Sequence, residues 1–327
     1  MWGSTVRTHN NLMTLLCACI MALAGCAFAV ALAGCGGNKS GCVVDDDCAA
    51  GEVCVVGACR PLSGADLSGA VADLGAGADL ATPIPDGWNP DALAASCTFN
   101  GDGTITRSEE SFMVGLGALF AVNAPGTTVP VDNVAHNGVW DFSAPVSSEA
   151  KQFDQLVDPS GQWWAGDFST ATYGERIDDG QQAYGVFRVS GSKLEMLGVV
   201  SDQGGLTRTE LTYATPIVVL QFPLSVGTTW TSESDVSGTA DGVAFFAHEK
   251  YVFSVGERGT TKVPAASFDT LRLKMSYTQT YGALVTTRIT YLHLAECYGA
   301  VARVRSQDNE TSADFTQAAE YRRLANP

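Results

Sequence analysis

From about Ser111 to its C-terminus the chain alternates β-branched and aromatic residues with polar ones, most clearly in Thr207–Tyr213, Thr270–Tyr277 and Val285–Leu292. A period of two sends successive side chains to opposite faces of an extended strand, so these stretches predict strands with one buried face. Gly- and Asp-rich stretches at Asp178–Gly180, Gln203–Gly205, Gly238–Gly242 and Glu257–Gly259 read as breaks between strands. No alternation of strand and helix, as in dinucleotide-binding folds, competes with this pattern. A region of some 200 residues is long enough to bury a real core. The expected fold is mainly β: an antiparallel β-sandwich or a curled, barrel-like sheet over residues 111–327, preceded by a signal peptide, a small disulfide-rich module and a flexible linker.

The N-terminus has a different texture. Residues 1–11 are polar with one Arg, Arg7, and Leu12 to Ala33 is almost wholly apolar, the outline of an export signal. The stretch is long enough to span a bilayer, so an uncleaved anchor is the rival reading. It ends, however, in Leu32-Ala33-Gly34-Cys35 and passes at once into the small, polar run Gly36–Ser40. This resembles the lipobox of bacterial lipoproteins. The resemblance implies a signal peptide over 1–34, lipid on Cys35, a membrane as partner through that lipid, and a place in the cell envelope, at the outer membrane or cell surface. The same four residues occur at Leu23–Cys26. The length of an ordinary apolar region favours Cys26. Cleavage there would expose the apolar stub Ala27–Leu32, whereas cleavage at Cys35 leads into a polar tether, and Cys35 is preferred.

Removing residues 1–35 takes one Arg and no acid, leaving 18 basic against 35 acidic residues, a balance of −17. With no basic cluster beyond Arg322-Arg323, a nucleic-acid partner is not expected. Of ten cysteines, three leave with the signal and Cys35 takes the lipid, so six remain. An even number in an exported chain points to disulfides. Cys42, Cys48, Cys54 and Cys59 fall within 18 residues, a segment too short to bury a core without cross-links. A four-thiolate zinc site is the chemical rival, but no close pair of Cys two residues apart is present. The spacing resembles a dickkopf-like cysteine-rich module, placed at 35–61, with the pairing among the four left open. Residues 62–95 collapse to Ala, Gly, Asp, Leu, Ser and Pro and read as a linker.

Residues 96–110 hold the strongest chemical motif, Thr98-Phe-Asn100-Gly-Asp102-Gly103-Thr104-Ile105-Thr106-Arg-Ser-Glu109. It resembles an EF-hand loop. That resemblance implies calcium as cofactor, with Thr98, Asn100, Asp102, the Thr104 carbonyl and Glu109 as ligands, since a hard cation collects oxygens at alternating positions and a bidentate carboxylate closes the shell. Thr98 stands where the family has Asp. The competing reading is a Gly-rich turn between Phe99 and Ile105. Cys97 abuts this loop and Cys297 is the last cysteine, so the two are expected to pair.

Little points to catalysis. His136, His248 and His293 show no metal-ligand spacing, and the sequence lacks a Gly-x-Ser-x-Gly elbow and a P-loop. Trp163-Trp164, with Trp140, Phe142, Phe168 and Tyr173 nearby, could stack on a sugar or peptide, though aromatics at this density more often form core. Gly138–Ser143, Pro223–Trp230, Val263–Phe268 and Gly299–Val304 resemble phrases of uncharacterised β-rich domains of exported bacterial proteins, which implies fold and location but no activity. The functional expectation is a non-catalytic binding or structural module with a protein or glycan ligand, the alternative being an extracytoplasmic hydrolase.

Overall fold

The computed structural model describes residues 52–55, 58–61, 97, 99–178 and 183–326, and the chain divides into two compact units, Met1–Gly77 and Ala78–Pro327. In the first, β1 (Glu52–Val55) and β2 (Ala58–Pro61) form an antiparallel hairpin whose register sets Cys54 opposite Cys59. The expectations for Cys35, Cys42, Cys48, the linker and Thr98 lie outside the described residues.

The second unit is built from β3 (Gly117–Asn123), β4 (Val129–Pro130), β5 (Val139–Asp141), β6 (Glu149–Gln155), β7 (Tyr173–Asp178), β8 (Ala183–Ser190), β9 (Lys193–Ser201), β10 (Glu210–Gln221), β11 (Thr229–Ala240), β12 (Val243–Lys262), β13 (Ser267–Tyr281), β14 (Leu284–Ala295), β15 (Gly299–Ser306) and β16 (Gln317–Leu324). From β7 to β16 each strand pairs with the next in sequence, after which β3 and β6 extend the sheet, giving one antiparallel path of twelve strands from β6 to β7. Two short strands lie off this path, β4 beside β16 and β5 parallel to the end of β12. The sheet curls until its edges nearly meet. Val157, just past β6, and Gly174 in β7 exchange backbone hydrogen bonds of 2.9 and 3.0 Å. Of the two expected architectures, the curled, barrel-like sheet is the one formed, which leaves little unpaired edge.

Strand alternation has its expected consequence in β12. Ala247, Glu249, Tyr251, Phe253 and Val255 are buried while His248, Lys250 and Val252 are exposed. The expected break at Glu257–Gly259 is not one. These residues continue β12, and the ladder to β13 slips between Val255 and Glu257, a bulge that changes which residues face inward. Likewise Gly238 stays within β11, at φ +147, where a Cβ would overlap the Glu210 carbonyl of β10; only Asp241 and Gly242 make the turn. In both places glycine marks a close approach inside a long strand.

Three apolar clusters result. The largest fills much of the barrel interior, with Phe187, Tyr213, Tyr251, Phe253, Leu271 and Leu273 among its members. A second lies where Val131, Trp140 and Phe142 cover Tyr291, Val304 and Tyr321. In a third, Trp164 and Phe168 pack on Val186, Leu197 and Val200. The aromatic residues that are neighbours in sequence are thus distributed among all three, each buried except Trp163, which is half-buried.

Candidate functional site

The segment from Phe99 to Leu116 crosses one end of the barrel as a plug. It is fixed by a disulfide between Cys97 and Cys297 in the turn after β14. Ile105 and Leu224 exchange two backbone hydrogen bonds of 2.8 Å, and the Cys297 amide donates to the Glu109 carbonyl at 2.8 Å. Glu296 Oε2 accepts from the Asn100 and Gly101 amides at 3.0 and 2.9 Å. Beyond the 3-10 turn Arg107–Glu109, Phe112 stacks on Tyr173 with ring centres 5.9 Å apart, and Arg107 lies over the Phe112 ring.

Within the plug, the EF-hand-like loop satisfies its own oxygens. Asn100 Oδ1 accepts from the Asp102 amide at 2.8 Å and Asp102 Oδ1 from the Thr104 amide at 2.7 Å. Glu109 is buried and both its oxygens are used: Oε1 accepts from Asn100 Nδ2, and Oε2 from the Thr106 amide and hydroxyl as a capping box. Arg258 donates to the Gly101 carbonyl at 3.0 Å, bringing a guanidinium against the loop. Among the described residues no three His, Cys, Asp or Glu side chains group as a metal site. A calcium ion would have to displace the Asn100 amide from Glu109 and move Arg258 away. Calorimetric titration with calcium decides between the two readings. Heat that disappears in Asp102→Ala is what the sequence pattern predicts, and no heat in either protein is what the folded loop predicts.

Past the plug lies a cavity of about 370 Å³. Strands on every side of the barrel contribute to its wall, and the wall is two-faced. Phe187, Leu194, Met196, Phe253, Met275 and Leu292 make one side apolar. On the other, Asp154, Glu175, Arg303, Arg305, Glu320 and Arg322 come from β6, β7, β15 and β16. Each of the three arginines is held by a carboxylate, two of them by the same one. Arg303 bonds Glu320, Arg305 Nε lies 3.1 Å from the same carboxylate, Arg322 pairs with Asp154, and Arg303 also donates to the Ile177 carbonyl at 3.2 Å. Burial raises the Glu175 carboxyl above the ordinary range, against the pull of Arg322 and Arg303.

Further along the inward row of β12, the buried carboxylate of Glu249 is saturated by neutral donors. Tyr213 and Tyr251 hydroxyls reach Oε2 at 2.8 and 2.7 Å, while the Tyr277 hydroxyl and Gln279 Nε2 reach Oε1 at 2.8 and 2.9 Å. Burial pushes the Tyr213 and Tyr251 phenols well above their usual range, so both remain donors. This cluster ties β10, β12 and β13 together.

Glu110 lines the cavity from the plug side. It is only 5 % exposed, and among the described residues its Oε1 has no hydrogen-bond partner. Burial is the chief reason its carboxyl is pushed up to about 8, with Glu175 and Glu109 adding to the rise and Arg107 opposing it. Among the described residues the three histidines lie apart. His136 meets Asp132 and His248 meets Asp235 on the surface, while His293 is buried with Nδ1 2.8 Å from the Thr261 hydroxyl and is pushed down to about 3 by that burial.

The cavity residues were not singled out from the sequence. One signal was present: Arg303 and Arg305 in β15, and Glu320 and Arg322 in β16, repeat at the strand period and so share a face. Glu110 carried no such signal beside Glu109. Comparison with protein families, curated proteins and solved structures finds no match for this chain.

Proposed function

We propose that this chain is a lipid-anchored protein of the cell envelope whose barrel holds a small, largely apolar molecule without altering it chemically. The observation that carries the binding reading is the cavity: its volume of about 370 Å³ falls within the range of small-molecule sites, and its wall joins a broad apolar surface to a few polar groups. In the aromatic patch that suggested a protein or glycan ligand, Trp140, Trp164 and Phe168 are buried in packed clusters, which favours the cavity as the place where a ligand binds.

Titration with N-phenyl-1-naphthylamine, a neutral probe that fluoresces in apolar surroundings, tests the reading. Saturable binding of one molecule per chain is expected, weakened about tenfold or more in Leu292→Trp, which fills the apolar side. No saturable binding by a folded wild-type protein, or equal binding by the variant, would sink it.

The anchor reading rests on Leu32–Cys35 and the polar run after it. Inhibiting the lipoprotein-specific signal peptidase should cause a larger precursor to accumulate in producing cells, and Cys35→Ala should mimic this; an unchanged size in both cases counts against lipidation at Cys35. The residues from 36 to 96 would then serve as a tether between membrane and barrel.

A further inference from the structure

Resting on the reading of the barrel as a binding protein, we infer that its ligand is an apolar chain ending in a carboxylate, which Arg322 and Arg305 receive, with Arg303 beside them, on the charged side of the cavity. Arg322 is only 5 % exposed, and among the described residues its Nη1 has no hydrogen-bond partner. The same is true of Arg305 Nε, although it lies 3.1 Å from Glu320. A guanidinium carries N–H donors and no acceptor, so only an acceptor completes these groups, and its planar fork matches the two oxygens of a carboxylate. Buried donors of this kind cost free energy until something fills their place.

Charge and register point the same way. Arg303 on β15 stands directly opposite Arg322 on β16, and like charges facing each other across a ladder are destabilising unless an anion lies by both. The three arginines meet two carboxylates, since Arg303 and Arg305 share Glu320 and Arg322 has Asp154. Asp154 is itself shared with Arg176, 3.6 Å away. Of the other carboxyls on the wall, Glu110 lies on the plug side, and burial disfavours a negative charge on Glu175. The ladders also place the tail. Arg303 is opposite Leu292 on β14, and the row through Arg305 reaches Met275 two strands away and Phe253 three strands away. Residues opposite one another share a face, so a chain lying across the strands passes from the arginines onto the apolar side. A plain hydrocarbon would leave both donors empty, and an ammonium head would add to the repulsion.

The test is displacement of N-phenyl-1-naphthylamine by octanoate, 1-octanol and octylammonium, which share a chain and differ in the head. In wild type, octanoate should displace the probe at a concentration lower than octanol by about tenfold or more, the worth of a hydrogen bond to a charged group. Two variants locate the effect. Arg305→Gln should remove most of this advantage, and so should Arg322→Gln combined with Asp154→Asn, which strands no carboxylate. Equal displacement by octanoate and octanol in wild type overturns the inference, as does octylammonium proving the strongest competitor; neither result depends on a variant folding. An octanoate advantage that survives in both folded variants overturns it too. In each of these cases saturable probe binding leaves the barrel as a binding site, whereas absent probe binding in wild type removes both readings.

Discussion

Replacing Cys97 and Cys297 together by serine is expected to cost up to about 5 kcal/mol of stability, the upper figure for releasing a loop this long from the unfolded chain. The two cysteines are 200 residues apart in sequence, so the bond confines nearly the whole barrel unit when it is unfolded. In the native state the same bond anchors the plug. Without it, the plug keeps the Ile105 to Leu224 pair, the Cys297 amide on the Glu109 carbonyl and the two amides on Glu296. Those contacts are each worth about 1 kcal/mol. Urea denaturation of the double variant should show a midpoint well below wild type, with N-phenyl-1-naphthylamine binding weakened as the plug loosens. Coincident midpoints would mean that the bond adds nothing to stability.

Glu110→Gln should change how stability depends on pH. In the unfolded chain this carboxyl titrates near 4.5, and in the folded protein it is pushed up to about 8. Between those values the unfolded chain gives up the proton while the folded protein keeps it, so rising pH favours unfolding. The stability this group permits is fully present below about 4.5 and is lost as pH rises to about 8, an interval corresponding to about 5 kcal/mol as an order of magnitude. Glutamine has no proton to lose. Relative to wild type, the variant should therefore gain stability steadily from pH 4.5 to 8 and show no further gain above it. Glu175 is raised in the same direction and adds to the rise at Glu110, so the difference between the two profiles reports the coupled pair. Parallel pH profiles for the two proteins would show that Glu110 is solvated and ionises normally.

Much of the fold was legible because strand texture is local. Thr270–Tyr277 and Val285–Leu292 alternate cleanly and form the middle of β13 and most of β14. Glu257–Gly259 misled because a glycine with charged neighbours looks the same whether it ends a strand or bulges it; what keeps β12 going is its ladder to β13 on one side and β5 on the other. The loop at residues 100–109 shows the same limit. Its residue pattern suits a cation, but whether Glu109 is free depends on how Asn100 is oriented, and Arg258 comes from a strand more than a hundred residues away.

By itself, then, the sequence determined the strand content of the region after Ser111 and the pairing of Cys97 with Cys297. Period-two alternation says that a strand has two faces and which residues share each. It does not say which face becomes concave, or what stands across from it. Only closure of the sheet at Val157 and Gly174 turned the faces bearing Arg303, Arg305, Glu320 and Arg322 inward, opposite Phe253 and Met275. Only the plug put Glu110 at the edge of that space, buried, its Oε1 without a partner among the described residues. Strands and disulfides follow from short-range geometry and counting, whereas a cavity exists only between residues that the closed chain brings together.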